Sequence, residues 1–336
     1  MSLHNKSNVS TFDVFNGDAD GICALHQLRL AMPIESTLVT GVKRDTQLLQ
    51  QIRSTDGDRI TVLDISLDTN TDALKQHLAN GAGVIYFDHH SAEQRFSHPL
   101  LTLYWDDAPN VCASILVNRY LSEKYVLWAI VAAFGDNLMA VAHHMAIQNG
   151  LTFTQELLLS ELGTLLNYHS YGEKLEDLPI FPVELYQKLH NYTDPFEFIA
   201  KSFCFSLLQH SYAQDMSLLQ SLQPSWEQSN GAIYLLPNHI WAKRLSGLLA
   251  NKLITQNHNI SFAVLTEKSD GSFFVSVRSA NPRYKHASEF CACFPSGGRA
   301  TFSRRSEQPS GIRAISIYST IFFIFLTTLH PKILEN

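Results

Sequence analysis

The sequence has few charged residues and no basic excess. Only 17% of its 336 residues are charged, while 45% are hydrophobic, and this balance excludes a disordered chain. The formal net charge is −6, so the chain lacks the overall positive charge that long nucleic acids require, and duplex DNA is not expected as a partner. Small phosphate-bearing substrates fit this charge better.

Cysteine pairs and targeting segments are also missing. The five cysteines are odd in number and form no C-x-x-C pair, which argues against a disulfide framework or structural zinc and favours a reducing, cytoplasmic location. The first ten residues are polar and do not resemble a secretory signal. An apolar run at residues 314–329 is shorter than the about 20 residues of a membrane helix, so no membrane partner is expected.

Short β-branched runs alternate with helical patterns over the first 150 residues. The strand-like runs are residues 11–15, 60–63 and 84–87, and the helical stretches are residues 22–30, 46–52, 71–78, 111–121 and 125–147. Such alternation predicts an α/β domain with a parallel, doubly wound sheet.

The second half of the chain has a different pattern. Residues 151–225 are rich in Leu, Phe, Tyr and His at helical spacing, with prolines as breakers, and they predict a helical connector. A strand at 232–236 and a helix at 240–254 follow, and Ser269-Asp270-Gly271 lies between two apolar runs as in a β-hairpin. We therefore expect a smaller α/β domain over residues 226–300.

Acidic and histidine side chains follow the predicted strands. The motifs are Asn16-Gly17-Asp18-Ala19-Asp20-Gly21, Asp64-Ile65-Ser66, Asp88-His89-His90 and, further on, Gly135-Asp136-Asn137. Because the carboxyl ends of parallel strands meet at one sheet edge, where such sheets bind ligands, we expect these side chains to cluster. Carboxylates combined with imidazole suit Mn2+. The motifs therefore predict two Mn2+ ions, with Mg2+ or Co2+ as alternatives.

In order and spacing these motifs resemble the DHH family of phosphoesterases. That family includes RecJ-type exonucleases, small-oligonucleotide and cyclic-dinucleotide hydrolases, and inorganic pyrophosphatases and polyphosphatases. Two runs in the second half look like its DHHA1-type substrate domain: Val275-Ser276-Val277-Arg278-Ser279 and Phe294-Pro295-Ser296-Gly297-Gly298. The resemblance implies a metal-binding catalytic domain at 1–150, a helical connector at 151–225 and a substrate-binding domain at 226–300.

The resemblance also implies a role for each motif residue. The expected metal ligands are Asn16, Asp18, Asp20, Asp64, Asp88, His89 and Asp136. Asp64 would bridge the two ions, and Asp88 would either bind metal or hold an imidazole in its tautomer. His90 would contact the scissile phosphate or carry a proton, so Asp64, His89 and His90 are the expected catalytic residues.

Substrate contacts are expected from the second domain. Arg278 would clamp a phosphate through its planar guanidinium, with Ser276 beside it. The main chain at Gly297 and Gly298 would approach a nucleotide closely.

The sequence departs from the family pattern at two places. Asn16 stands where relatives often have His or Asp, so one ion would be held there either more weakly or by an amide oxygen. After Gly298-Arg299-Ala300 the sequence becomes basic, Ser-rich and then apolar, and we hypothesise that residues 301–336 are a divergent or out-of-frame tail.

The function implied by the resemblance is two-metal hydrolysis of phosphodiester or phosphomonoester bonds in small nucleotides. Short oligonucleotides, including short single-stranded nucleic acid, and cyclic dinucleotides are the expected substrates, and a homodimer is left open. A pyrophosphatase or polyphosphatase, which needs little base recognition, is an alternative. A non-catalytic nucleotide-binding regulatory protein is another, favoured by Asn16 and the atypical tail.

Overall fold

The computed structural model describes residues 9–93, 95–280 and 301–302. The chain divides into two compact units, Met1–Gln214 and Asp215–Asn336. The predicted connector at residues 151–225 spans this division, and the finer predicted boundaries near residues 150, 225 and 300 stay predictions.

A five-stranded parallel sheet forms the centre of the first unit. Its strands are β1 (Thr11–Phe15), β2 (Thr37–Val39), β3 (Arg59–Leu63), β4 (Gly83–Asp88) and β5 (Leu101–Trp105). Their spatial order is β2-β1-β3-β4-β5, with every neighbouring pair parallel. Because β2 lies on one side of β1 and β3 on the other, the strand order reverses at β1, and ligands bind at such a point.

Helices cover both faces of this sheet, so it is doubly wound as the sequence predicts. The helices of the first unit are α1 (Ala19–Ala31), α2 (Leu67–Ala79), α3 (Ala113–Tyr120), α4 (Val126–Gly135), α5 (Met139–Gln148), α6 (Phe153–His169), α7 (Pro182–Leu189), α8 (Pro195–Lys201) and α9 (Phe203–Leu218), which continues into the second unit.

Two hydrophobic clusters lie on the two faces of the sheet. Phe15 and Phe87 belong to a cluster with side chains of α1, α3, α4 and α6, whereas Val14 and Tyr86 belong to one with α2. Successive strand side chains point to opposite faces, so each strand supplies both clusters. This double burial explains why the strands lack a regular alternation of apolar and exposed polar residues.

The structure corrects two helix predictions in this unit. The stretch 125–147 is not one helix, because α4 ends at Gly135 and Asn137 has a left-handed φ of 64° before α5 begins. The stretch 46–52 is only a 3-10 turn over Leu48–Gln51, which buries Leu48 and Leu49 together. The strands β2 and β5 were not predicted.

The second unit has a mixed sheet in the order β10-β9-β8-β7-β6. Its elements are β6 (Trp226–Gln228), β7 (Gly231–Leu236), α10 (Ile240–Gln256), β8 (Ser261–Glu267), β9 (Phe273–Arg278) and β10 (Thr301–Phe302). The antiparallel pairing of β8 with β9 confirms the predicted hairpin at Ser269-Asp270-Gly271.

Several predicted features lie outside the described residues. They are Gly297, Gly298, the tail beyond residue 302 and the apolar run at 314–329. Within the ranges that the structure does describe, no helix combines the length and the apolar character needed to cross a membrane.

Candidate metal centre

The four acidic motifs converge at the carboxyl edge of the parallel sheet. Asp18 and Asp20 follow β1, Asp64 follows β3, and His89 follows β4. Asp136 joins them from the end of α4, where it is the C-terminal cap residue. The cluster therefore depends on three adjacent strands and one helix end, all of them parts of the rigid core.

His89 occupies the middle of this cluster. Its Nε2 atom is 3.3 Å from Asp64 Oδ1, 3.7 Å from Asp20 Oδ2 and 3.8 Å from Asp136 Oδ2. One ligand atom each from Asp20, His89 and Asp136 lies within 4.8 Å of the others, and the same holds for Asp64, His89 and His90. Both groups have the spacing and the donor types of a divalent metal site.

Asn16 supplies a further test of whether a metal fits here. Its side-chain oxygen is buried and has no hydrogen-bond partner, which is costly unless a bound cation or water satisfies it. Asn16 directly follows β1, and its main-chain N–H donates to Leu63 O at 3.2 Å. A cation or a water molecule at this edge of the sheet would therefore satisfy the Asn16 oxygen.

Asp64 is held in an unusual backbone conformation. Its φ is 58°, in the left-handed region that non-glycine residues seldom adopt, although Asp and Asn tolerate it best. Its N–H donates to Phe87 O at 3.0 Å, so the adjoining strand fixes this conformation. Local strain of this kind is often concentrated at functional sites.

Asp18 caps α1 and pairs with a lysine. Its Oδ1 accepts the N–H groups of Asp20 and Gly21, both at 3.1 Å, while Oδ2 accepts from Lys43 Nζ. Burial opposes ionisation of Asp18, but the Lys43 ammonium lowers its pKa to about 2. Asp18 is therefore a carboxylate that already has a cation beside it.

Asp20 is fixed by the start of α3. Its two carboxylate oxygens accept the N–H groups of Ala113 and Ser114, each at 2.7 Å. Such N–H groups at a helix N-terminus favour negative charge. The fold thus orients Asp20 before any metal binds.

Asp88 orients its neighbour His90. Its Oδ1 accepts the imidazole Nδ1–H of His90 at 2.7 Å, and its Oδ2 accepts the N–H of Leu67 at 2.9 Å. Asp88 is fully buried, whereas the His90 side chain is 31% exposed. Of the two roles expected for Asp88, this geometry supports the one that fixes the tautomer of an imidazole.

Crowded carboxylates disfavour their own ionisation in this cluster. Burial and the nearby charges of Asp18 and Asp20 raise the pKa of Asp64 well above its usual value. Burial also raises the pKa of Asp136 to about 6, although Lys43 opposes this. A divalent cation would relieve both effects, because it stabilises the ionised carboxylates that surround it.

The predicted substrate residues lie in the second unit. Arg278 ends β9, and its guanidinium donates to Asn251 Oδ1 at 2.8 Å and to Val277 O at 2.9 Å. Ser276 lies on the same strand, opposite Val264 of β8. Gly297 and Gly298 lie outside the described residues.

Lys43 and Asn167 also lie at this site, although no sequence motif predicts them. Lys43 Nζ donates to Asn167 Oδ1 at 2.8 Å and lies 4.0 Å from Asp136 Oδ1. The one usable signal for Lys43 is its position just after a β-branched stretch that forms β2, at the same sheet edge as the acidic motifs. Asn167 lies in the last turn of α6, where no sequence signal marks it.

No protein-family model matches the sequence, and no curated protein matches it either. Several solved structures are similar in fold. A DHH-domain protein described as belonging to a family of ribosomal proteins has a TM-score of 0.59 at 12% identity, covering 95% of this chain and 86% of its own.

Two further structures carry descriptions of an activity. Exonuclease RecJ bound to manganese has a TM-score of 0.54 at 15% identity, covering 84% of this chain and 80% of its own. The pGpG-specific phosphodiesterase PggH from Vibrio cholerae has a TM-score of 0.50 at 13% identity, covering 94% of this chain and 99% of its own. These likenesses show that the chain has the fold of DHH-domain proteins, as the motifs predicted.

Proposed function

We propose that this chain, which has the fold of the DHH-domain proteins, is a metal-dependent phosphoesterase that hydrolyses phosphate esters of small nucleotides. The observation that carries this proposal is the position of His89, whose Nε2 lies within 3.8 Å of carboxylate oxygens of Asp20, Asp64 and Asp136. A buried group of this composition has few stable uses other than metal binding.

The same residues define what the site would do. A bound divalent ion activates water and polarises a phosphoryl oxygen. Asp20, Asp64, His89 and Asp136 would hold it, with Mn2+ proposed over Mg2+ because imidazole takes part. The second ion expected from the sequence would use Asn16 and Asp18, with Asp64 bridging the two ions.

His90 would act next to that ion rather than as its main ligand. Asp88 keeps the Nδ1 proton of His90 in place, which leaves Nε2 as the ring atom that can meet a substrate. Burial lowers the pKa of His90, but its hydrogen bond to Asp88 and nearby acidic charges raise that pKa above its usual value. A partly exposed imidazole with a raised pKa suits proton donation to a leaving oxygen.

Small nucleotides are the proposed substrate class for two reasons. PggH is described as specific for pGpG, and RecJ as an exonuclease, so similar folds act on linear nucleotides. The net charge of −6 makes a long nucleic acid a poor partner. Arg278 and Ser276, with Gly297 and Gly298, are proposed to contact the substrate.

The decisive test is hydrolysis of a substrate panel with purified full-length protein. The panel contains pGpG, a second linear dinucleotide, a cyclic dinucleotide, short single-stranded DNA and pyrophosphate, each with Mn2+ and with Mg2+. We expect metal-dependent turnover of the linear dinucleotides and its loss in Asp64→Asn. Asparagine tolerates the left-handed φ of 58°, so this variant removes charge without a backbone penalty.

A matched control is Asp107→Asn, because Asp107 is exposed and outside the cluster. It should keep full activity. Turnover of pyrophosphate alone would indicate a pyrophosphatase instead. Tight binding of a dinucleotide without turnover in either metal would contradict an enzyme and indicate a nucleotide-binding regulatory protein.

A further inference from the structure

Lys43 lies inside the acidic cluster. Its ammonium donates to Asp18 Oδ2 and to Asn167 Oδ1, and it lies 4.0 Å from Asp136 Oδ1. The ring of Tyr171 also lies close to the ammonium, with its centroid 5.5 Å from Nζ. The lysine side chain is only 21% exposed, so these contacts form in a largely dehydrated place.

The main chain fixes the lysine where its side chain can reach Asp18. The N–H of Lys43 donates to Ser170 O at 2.9 Å, just beyond the end of α6. The same helix end carries Asn167, so one element positions both the lysine and its amide partner. The main-chain hydrogen bond to Ser170 and the side-chain hydrogen bond to Asn167 limit how far the ammonium can move away from Asp18.

A second ion here would use Asp18 and Asn16, together with the bridging Asp64. The oxygen of Asp18 that is not involved in capping α1 accepts from the Lys43 ammonium. Asn16 is a neutral amide and attracts a divalent ion less strongly than a carboxylate. A second ion would therefore have to displace a largely buried ammonium from Asp18, and its other carboxylate ligand, Asp64, would already be shared with the first ion.

We propose that the Lys43 ammonium takes the place of the second divalent ion, so that the chain binds one Mn2+ at His89 and no second Mn2+ beside Asp18. This inference rests on the proposed metal-dependent function. The resident lysine then supplies the positive charge next to Asp18 and is placed to meet a substrate phosphate, as a compact cation can.

Metal content of the full-length protein tests this directly and needs no substrate. Protein is dialysed to equilibrium against Mn2+, bound metal is counted by elemental analysis, and electron paramagnetic resonance reports whether ions are exchange-coupled. We expect one uncoupled Mn2+ per wild-type chain. Lys43→Met removes the charge and keeps most of the side-chain volume, so it should bind two coupled Mn2+ ions.

A second substitution shows where the extra ion binds. Asp18→Asn should leave the wild-type count at one, since asparagine still caps a helix. In the Lys43→Met background the same change should lower the count from two to one. Lys252→Met, at an exposed position of α10, is the matched control and should bind one.

The outcomes separate this inference from the proposed function. Two coupled ions in the wild type, or one ion in a folded Lys43→Met protein, would overturn the role of Lys43 while the phosphoesterase proposal stands. One bound ion without hydrolysis of any substrate would overturn the phosphoesterase proposal while the role of Lys43 stands. No bound Mn2+ would overturn both. Circular dichroism checks folding, and Lys43→Gln replaces Lys43→Met if that variant does not fold.

Discussion

Asp88 and His90 form a single hydrogen-bonded unit in which one carboxylate oxygen, Oδ1 of Asp88, accepts both the main-chain N–H of His90 at 3.1 Å and its imidazole Nδ1–H at 2.7 Å. The second oxygen accepts the Leu67 N–H at the start of α2. The imidazole orientation is therefore set by a carboxylate that the fold has already immobilised.

Replacing this carboxylate should impair turnover more than metal binding. In Asp88→Asn one side-chain oxygen becomes an NH2 group, which cannot accept hydrogen bonds, so the contacts to His90 and Leu67 cannot both persist. We expect kcat to fall about 10–100-fold, as for other groups that orient a functional histidine. The Mn2+ content at saturation should stay at the wild-type value. Loss of that metal would instead identify Asp88 as a ligand.

The helices α4 and α6 pack closely, and their C-terminal ends carry Asp136 and Asn167, which both lie near Lys43. A Cβ atom at Gly163 would lie 2.2 Å from Val131 O, and one at Gly135 would lie 2.8 Å from Gly163 O. The two helices therefore touch through glycines, and no methyl group fits between them.

Gly163→Ala should push these helices apart. We expect a loss of stability of about 1–3 kcal/mol, typical of overpacking, and weaker Mn2+ binding because α4 carries Asp136. Thermal unfolding and a Mn2+ titration measure the two effects. Gly83→Ala is the control, since its Cβ would meet nothing nearer than Asp58 O at 4.0 Å. If Gly163→Ala and Gly83→Ala had the same stability and the same Mn2+ affinity, the close contact between α4 and α6 would be contradicted.

A buried ion pair holds the middle of β1 to α1. Arg29 donates from Nε to Asp13 Oδ2 at 2.8 Å and from Nη2 to both Asp13 Oδ1 and Thr61 Oγ1. Asp13 is fully buried. Arg29→Met would leave this carboxylate without its charged partner, which costs about 3–5 kcal/mol.

Thermal unfolding of the full chain is the measurement for this pair. Arg53→Met, at an exposed arginine of the same unit, should change stability by less than about 0.5 kcal/mol. A similar, small effect in Arg29→Met would show that water or Ser36, whose Oγ donates to Asp13 Oδ2 at 2.6 Å, satisfies the carboxylate alone.

The sheet and its acidic edge were predictable because they depend on local signals. Val14 and Phe15 supply opposite faces of one strand, and β1 is a short β-branched and aromatic run followed directly by polar motif residues. The end of α4 was not predictable in this way. Gly135-Asp136-Asn137 interrupts the apolar residues of α4 and α5 only briefly, and the break depends on the left-handed conformation of Asn137.

Lys43 and Asn167 show why part of the site escapes sequence analysis. Asp18 meets a lysine 25 residues away, and that lysine meets an amide 124 residues further along the chain. Neither partner belongs to a periodic pattern or a short motif. Only the packing of α6 beside the sheet edge brings them together, and this packing cannot be inferred from the local sequence.

His26 is a buried histidine outside the metal centre that should make stability depend on pH. It is fully buried on α1, hydrogen-bonds through Nε2 to Tyr192 O at 3.0 Å and through Nδ1 to His190 Nδ1 at 3.0 Å, and packs edge-on against Trp128. Burial, followed by the His190 charge, lowers the pKa of His26 to about 3. The folded chain therefore keeps this imidazole neutral where the unfolded chain protonates it.

This difference sets the sign and the range of the effect. An unfolded histidine has a pKa of about 6.5, so the stabilisation is complete above that pH and is lost as the pH falls from about 6.5 towards 3. At pH 5 the loss from His26 amounts to about 2 kcal/mol.

His26→Gln removes the titration while glutamine can still donate to Tyr192 O. Thermal unfolding at pH 7 and pH 5 should therefore show a smaller acid-induced loss in His26→Gln than in the wild type. Buried His169, whose pKa burial lowers to about 4, keeps part of the loss in both proteins. An equal acid-induced loss of stability in His26→Gln and in the wild type would mean that His26 is protonated as readily in the folded chain as in the unfolded chain.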